Sequence, residues 1–235
     1  VYSVKWFLMN KMENGTEKIN RILTSLANTQ EDMLALKDYI WQNLDHSSVE
    51  EVQTAASFQV KYLELLDQFA LNSQEISALI SQFTGIKVED TPKEVEQTSS
   101  ENQRIIKELN KDTPHKITED FTFKRPTAFI FDGYAYPDMN CWSQLYVQFV
   151  ACLGKKDLSK LKSLADNPDF ISKQNKKYYS ASAKELRKPC KVLDGFYVET
   201  NRSANDLMKL AIDLLNFFEI PLDNMTIFLR QDRNA

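Results

Sequence analysis

Among 235 residues there are only five glycines, two histidines, three cysteines and seven prolines. Each scarcity closes a route. Five scattered glycines build neither Gly-x-x-x-x-Gly-Lys nor Gly-x-Gly-x-x-Gly, so the usual phosphate cradles are absent. So few Gly and Pro also exclude collagen-like and Pro/Gly-rich chains. His46 and His115 have no second His or Cys nearby, which argues against a His/Cys zinc site. The odd set Cys141, Cys152 and Cys190 has no short spacing, so no disulfide framework is expected and a reducing cytoplasm fits. None of the three has a nearby His to activate it, and Gly-x-Ser-x-Gly does not occur.

Long apolar runs are missing as well. The longest candidate is Val1 to Met9, broken by Lys5. It is under half of the roughly 20 residues that cross a bilayer. It also lacks the basic start and small-residue cleavage site of a signal peptide. The chain opens on Val, so residues 1–11 are read as a leader ahead of Met9 or Met12, or as part of a longer chain, and carry no fold argument. No membrane contact and no cofactor or metal is expected.

What is present is ordinary globular composition: 43% hydrophobic, 26% charged. The length permits one or two domains with a real core. The net charge of −4 is unevenly spread. Residues 1–120 hold 12 Lys+Arg against 20 Asp+Glu, and residues 121–235 hold 17 against 13. Within 155–191 the count is 11 against 4. An acidic half is followed by a half with a concentrated basic segment.

The acidic half reads as helix. Ile19, Ile22, Leu23, Leu26, Met33, Leu36, Ile40 and Leu44 recur at steps of three and four, and Thr16 is the expected N-cap. No Gly or Pro falls between Gly15 and Gly85. After a polar break at 45–48, Ser48 and Glu51 form a capping-box pattern. A second helix follows along Val52, Ala56, Leu63, Leu66, Phe69 or Ala70, Ile76, Ile80 and Phe83, and Gly85 ends it. Two long helices with a short joint lie antiparallel. The second carries more apolar surface than one neighbour covers, including Phe58, Val60, Tyr62 and Leu65. Either a second copy or the C-terminal half must cover it. A homodimer is expected, with Leu63, Leu66, Phe69, Ile76 and Ile80 as its oligomerisation residues.

Residues 86–120 read as a charged linker, with a helix starting at Thr91-Pro92 and a break around Pro114. From Phe121 the pattern is mixed. Strands are expected at 128–131 and 134–136 about an Asp132-Gly133 turn, then a helix from Trp142 stopped at Gly154 and a short helix to Leu164. Further strands are expected at 176–180, 190–193 and 196–200, then a helix capped by Ser203 with Asp206, and a last strand at 225–229. The fold class is therefore α+β: a coiled-coil-like helical hairpin (12–85), a linker (86–120), and a small mixed α/β module (121–235) with helices on one face of a sheet.

Lys18-Ile19-Asn20-Arg21-Ile22-Leu23 leading into Leu26-Ala27-Asn28-Thr29-Gln30, with Trp142, Tyr178-Tyr179-Ser180, Leu186-Arg187 and the run from Tyr197 to Asn205, resembles a group of uncharacterised bacterial proteins. Those have a helical N-terminal part joined to a small α/β module. The resemblance covers most of the chain. It implies a bacterial cytoplasmic protein, and transfers neither a reaction nor functional residues.

The strand-associated acids are Asp132, Asp194 and Glu199. The first two precede Gly, as turn residues do. Glu199 with Lys191 mimics a nuclease pair in the wrong order. The basic segment is the better candidate for chemistry. Lys173, Lys176, Lys177, Arg187 and Lys188 interleave with Tyr178 and Tyr179, matching cations to phosphates and rings to bases. Asn201, Ser203 and Asn205 add directional donors at a helix start. The plainer alternatives are a solvated surface with tyrosines in the core, or cations paired with an acidic partner or the chain's own acidic half. The expectation is a non-catalytic oligomeric protein whose C-terminal module contacts DNA or RNA. The alternatives are a protein-interaction adaptor acting through its hairpin, and a small-ligand sensor or enzyme with a pocket near Trp142, Tyr197 and Asn201.

Overall fold

The computed structural model describes residues 2–85, 92, 97–172 and 175–231, with side chains from residue 15. Two long helices, α1 (Tyr2–Gln42) and α2 (Val49–Thr84), form the hairpin. Helix α1 begins well before Thr16, so Thr16 lies inside it rather than capping it. The joint follows the sequence closely. Ser48 Oγ accepts from the Glu51 N–H, and Gly85 closes α2 at φ 72° with its N–H donating to Ser81 O. The capping box is only half made, because Glu51 Oε2 accepts from Asp45 N instead of Ser48 N. Leu23 and Leu34 on α1 are buried, as are Leu66 and the small residues Ala55, Ala70 and Ser73 on α2. Tyr62 OH crosses the seam to Met33 O.

The rest of the described chain is a two-sheet head. Its elements are α3 (Ser99–Leu109), β1 (His115–Lys116), β2 (Pro126–Phe131), β3 (Tyr134–Pro137), α4 (Trp142–Lys156), α5 (Leu158–Ser163), β4 (Tyr179–Ser180), β5 (Pro189–Leu193), β6 (Phe196–Glu199), α6 (Ala204–Phe217) and β7 (Met225–Leu229). One antiparallel sheet has the order β1-β7-β2-β3 and the other β4-β6-β5. Asp132 and Gly133 both have positive φ, the geometry that suits a two-residue hairpin to the strand twist. Helix α4 does not stop at Gly154 but runs on to Lys156. A Cβ at Gly154 would stand 3.0 Å from Leu161 Cδ2, so the glycine serves close packing.

Alternation on the strands divides the four-stranded sheet between two cores. Phe129, Phe131, Met225, Ile227 and Leu229 join the main core with α4 and α6. Ala128, Ala135 and Phe228 face the other way, onto Leu109, Ile105 and Ile106 of α3. The stretch read as linker therefore supplies α3 to one face of this sheet and β1 to its edge. Helix α3 starts at Ser99 behind a full Thr98–Glu101 capping box, not at Pro92, and Thr91 lies outside the described residues. Asn102 ties α3 to the β3 edge: Nδ2 donates to Gly133 O at 2.8 Å and Oδ1 accepts from Ala135 N at 2.9 Å. The side chain stands where a further strand would pair. Asn102→Ala strands the fully buried Ala135 N–H and should cost about 1–3 kcal/mol, read from the midpoint of urea unfolding; an unchanged midpoint would contradict this docking role.

Candidate functional site

Where the acidic hairpin meets the head, polar groups of the two halves answer one another. Glu31, buried on α1, accepts from Trp142 N at 3.2 Å and Ser143 N at 3.0 Å. Cys141 stands at the N-cap of α4 but makes no side-chain cap bond, so a carboxylate from another helix takes that task. Gln30 donates to Asn201 Oδ1 at 2.7 Å and accepts from Lys188 Nζ at 3.0 Å. Asp32 pairs with Arg125, which also donates to Asn28 O. Asp38 accepts from Ser203 Oγ at 2.7 Å, and Asp67 on α2 meets Arg187 and Asn201, each at 3.3 Å.

This contact absorbs much of the basic segment. Arg187 and Lys188 reach the hairpin, and Asn201 and Ser203 are bonded to it. Ser203 is buried and caps α6 through the Asp206 N–H. Asn205 holds the 120–122 loop, accepting from Phe121 N and donating to Asp120 and Thr122. Tyr179 is 1% exposed and hydrogen-bonded to Tyr146 OH at 2.6 Å, so its ring is closed to any base. Tyr178 carries the Arg202 guanidinium at 4.2 Å from its ring centroid. Lys177 pairs with Glu185, and Lys176 stays exposed. Lys173 lies outside the described residues. The expectation that Tyr179, Ser203 and Asn205 offer open binding groups is corrected: the first two are buried, and the third is spent on its own loop.

A cleft of about 750 Å³ remains between hairpin and head, with Lys37, Asp67, Tyr178, Arg187, Asn201 and Arg202 on its walls. Trp142 and Tyr197 do not line it, so the expected pocket at those residues with Asn201 is not assembled. Glu199 is occupied by three backbone donors, Arg187 N, Lys188 N and Asn201 N. Lys191 pairs with Asp194 instead, so no Glu199–Lys191 pair forms. Among the described residues no group of three or more His, Cys, Asp or Glu is placed to hold a metal ion, and no helix is long and apolar enough to cross a membrane.

The hairpin's other side is different in kind. Phe58, Tyr62, Leu65, Phe69, Asn72, Ile76, Leu79 and Phe83 follow one another on α2 at alternating steps of four and three. Such a stripe keeps to one side of a helix, as in a coiled-coil seam. Leu65, Leu79 and Phe83 are 55%, 66% and 92% exposed. The inner seam holding Leu66, Ala70 and Ser73 lies one residue further round, against α1, with Ala55 and Tyr62 on the border between the two faces. Of the expected oligomerisation residues, Phe69 and Ile76 sit on the outer stripe. Leu66 is buried in the inner seam, Leu63 lines the cleft, and Ile80 is half-buried. Sequence reasoning missed Leu79 and ran Phe83 into a single row with Leu66, which the structure divides between two faces; the unbroken four-three spacing is the signal for both residues. At the hairpin tip the stripe enters an apolar pocket of about 660 Å³ lined by Ile40, Leu44, Thr54, Ala55 and Phe58.

No family model, no curated protein and no solved structure matches this chain.

Burial pushes the Glu31 carboxyl above its ordinary value of 4.5, while the Ser143 and Trp142 N–H groups and the charges of Arg125 and Lys188 pull it back. A carboxyl raised on folding favours the folded state most when protonated. Its contribution is full below the ordinary value and is lost as pH rises through the folded value. Glu31→Gln removes that titration. In urea unfolding at stepped pH upward from 4.5, wild type should lose stability relative to Glu31→Gln; parallel curves would exclude Glu31 as the titrating group.

Proposed function

We propose that the protein is a non-catalytic association protein whose helical hairpin is the binding arm and whose head fixes and orients that arm. The observation that carries this reading is the apolar stripe on α2 from Phe58 to Phe83, which the head leaves uncovered. Each large apolar side chain is worth roughly 1.5–3 kcal/mol on full burial, so several along one helix favour association. An apolar row of this kind on a soluble surface marks an interface.

Helix geometry separates the arm from its anchor. At about 100° per residue, Asp67 points some 200° away from Leu65. Asp67 is where α2 meets Arg187 and Asn201 of the head. The head therefore grips one side of α2 and leaves the opposite side open. Self-association to a homodimer is the form this reading takes. The nucleic-acid reading of the head is less favoured, because Tyr179 and Ser203 are buried, the Tyr178 ring carries Arg202, and Lys177, Arg187 and Lys188 already have acceptors within the chain.

Light scattering on the full chain should give twice the chain mass of 27.2 kDa at high protein concentration. Leu65→Glu combined with Leu79→Glu alters two exposed positions and should return a single-chain mass with unchanged far-ultraviolet dichroism. A wild-type mass of one chain at every concentration would overturn the reading.

A further inference from the structure

Resting on that reading, we infer that the partner on α2 is a second copy lying antiparallel, about a two-fold axis that crosses the outer stripe at the level of Asp67. Three features of the surface converge on this arrangement.

The first is the stripe itself. In an antiparallel heptad pairing the alternating positions of one helix meet the opposite set on the other. With the axis at Asp67, Leu65 packs on the partner's Phe69, Phe58 on the partner's Ile76, and Tyr62 beside the partner's Asn72. Asn72 falls opposite the partner's Tyr62, whose hydroxyl is already held by Met33 O within its own hairpin, while the Phe58–Ile76 and Leu65–Phe69 layers are wholly apolar. The 36 residues of α2 then overlie one another almost end to end.

The second is charge. Lys61 and Glu75 are both exposed and both immediately precede a stripe residue. They stand at equal distances on either side of Gln68. The antiparallel pairing sets Lys61 against the partner's Glu75, and the symmetry repeats that pair at the other end. A parallel pairing sets Lys61 beside the partner's Leu66, which is already committed to the inner seam, and gives the charge no counterpart.

The third is the tip pocket. The same register carries Leu79 over the partner's Ala55 and Phe83 toward the partner's Glu51, both of which line the apolar pocket beside Ile40, Leu44 and Phe58. Phe83 is the most exposed large apolar residue of the described chain. The molecule has a knob at one end of the stripe and a hole at the other. An antiparallel contact fills both holes at once, and a parallel one leaves both empty. Because the head grips the far side of α2, the two heads of such a dimer stand outward on opposite flanks.

Cysteine cross-linking separates the possibilities, since Cys141, Cys152 and Cys190 are all buried. Under mild oxidation Gln68→Cys should form an intermolecular disulfide across the axis, and Asn72→Cys should not. Lys61→Glu and Glu75→Lys should each weaken the dimer several-fold in sedimentation equilibrium, and the double exchange should restore it to within about two-fold. Cross-linking of Asn72→Cys but not Gln68→Cys would overturn the antiparallel arrangement while leaving self-association in place. Single-chain mass for both cysteine variants and for wild type would overturn the association reading itself.

Discussion

The molecule turns on one buried carboxylate. A helix of the length of α4 needs its first N–H groups satisfied, and Cys141 at its N-cap makes no such bond. Glu31 satisfies two of them from a different helix, far away in sequence. Burying a carboxylate costs several kcal/mol unless charge and donors surround it. Here the helix start, Arg125 and Lys188 do so. Helix α4 is the centre of the head's core, with nearly every side chain from Trp142 to Leu153 buried. The bond that completes α4 is thus the bond that fixes the hairpin, and loosening either one loosens the other.

Much of the fold was legible because it is local. The Ser48 cap, the Gly85 stop, the Asp132-Gly133 turn and the Ser203 cap each rest on one or two residues acting within a turn of chain. What was not legible depends on distant partners. Nothing within α3 announces that Asn102 will stand in for a strand at the β3 edge, or that His115 and Lys116 will pair with β7. Gly154 reads as a stop, yet it sits inside α4 because Leu161 and Leu193 crowd it. The division of one expected sheet into two has the same cause: β4, β5 and β6 pack around α4 from a side that strand patterning alone does not reveal.

The candidate site was misread for a related reason. A run of lysines, arginines and tyrosines describes composition, while a binding surface needs the same groups free and on one side. The acidic half of the chain supplied the counter-groups: Gln30 for Lys188, Asp67 for Arg187, Asp38 for Ser203. One signal was present in α1. Its apolar spacing lapses at Gln30-Glu31-Asp32, where a further apolar residue after Leu26 was due, and that lapse is the contact with the head. A polar interruption on an otherwise buried helical face marks a place where polar groups come from elsewhere.

The two faces of α2 follow from that same constraint. The inner seam and its border set small residues, Ala55, Ala70 and Ser73, beside the single buried Leu66, so α1 shields that seam and little beyond it. The head is held by polar contacts, which fix position without spreading apolar cover. A narrow seam and a polar clamp together leave the large residues, Leu65, Ile76, Leu79 and Phe83, outside both contacts. Had the inner seam been Leu and Phe, α1 would stand further off and the outer row would gain no cover either. The exposed row is thus a consequence of a helix given more large apolar side chains than its intramolecular contacts are shaped to take, and their regular spacing over the length of α2 is what a partner of the same length can use.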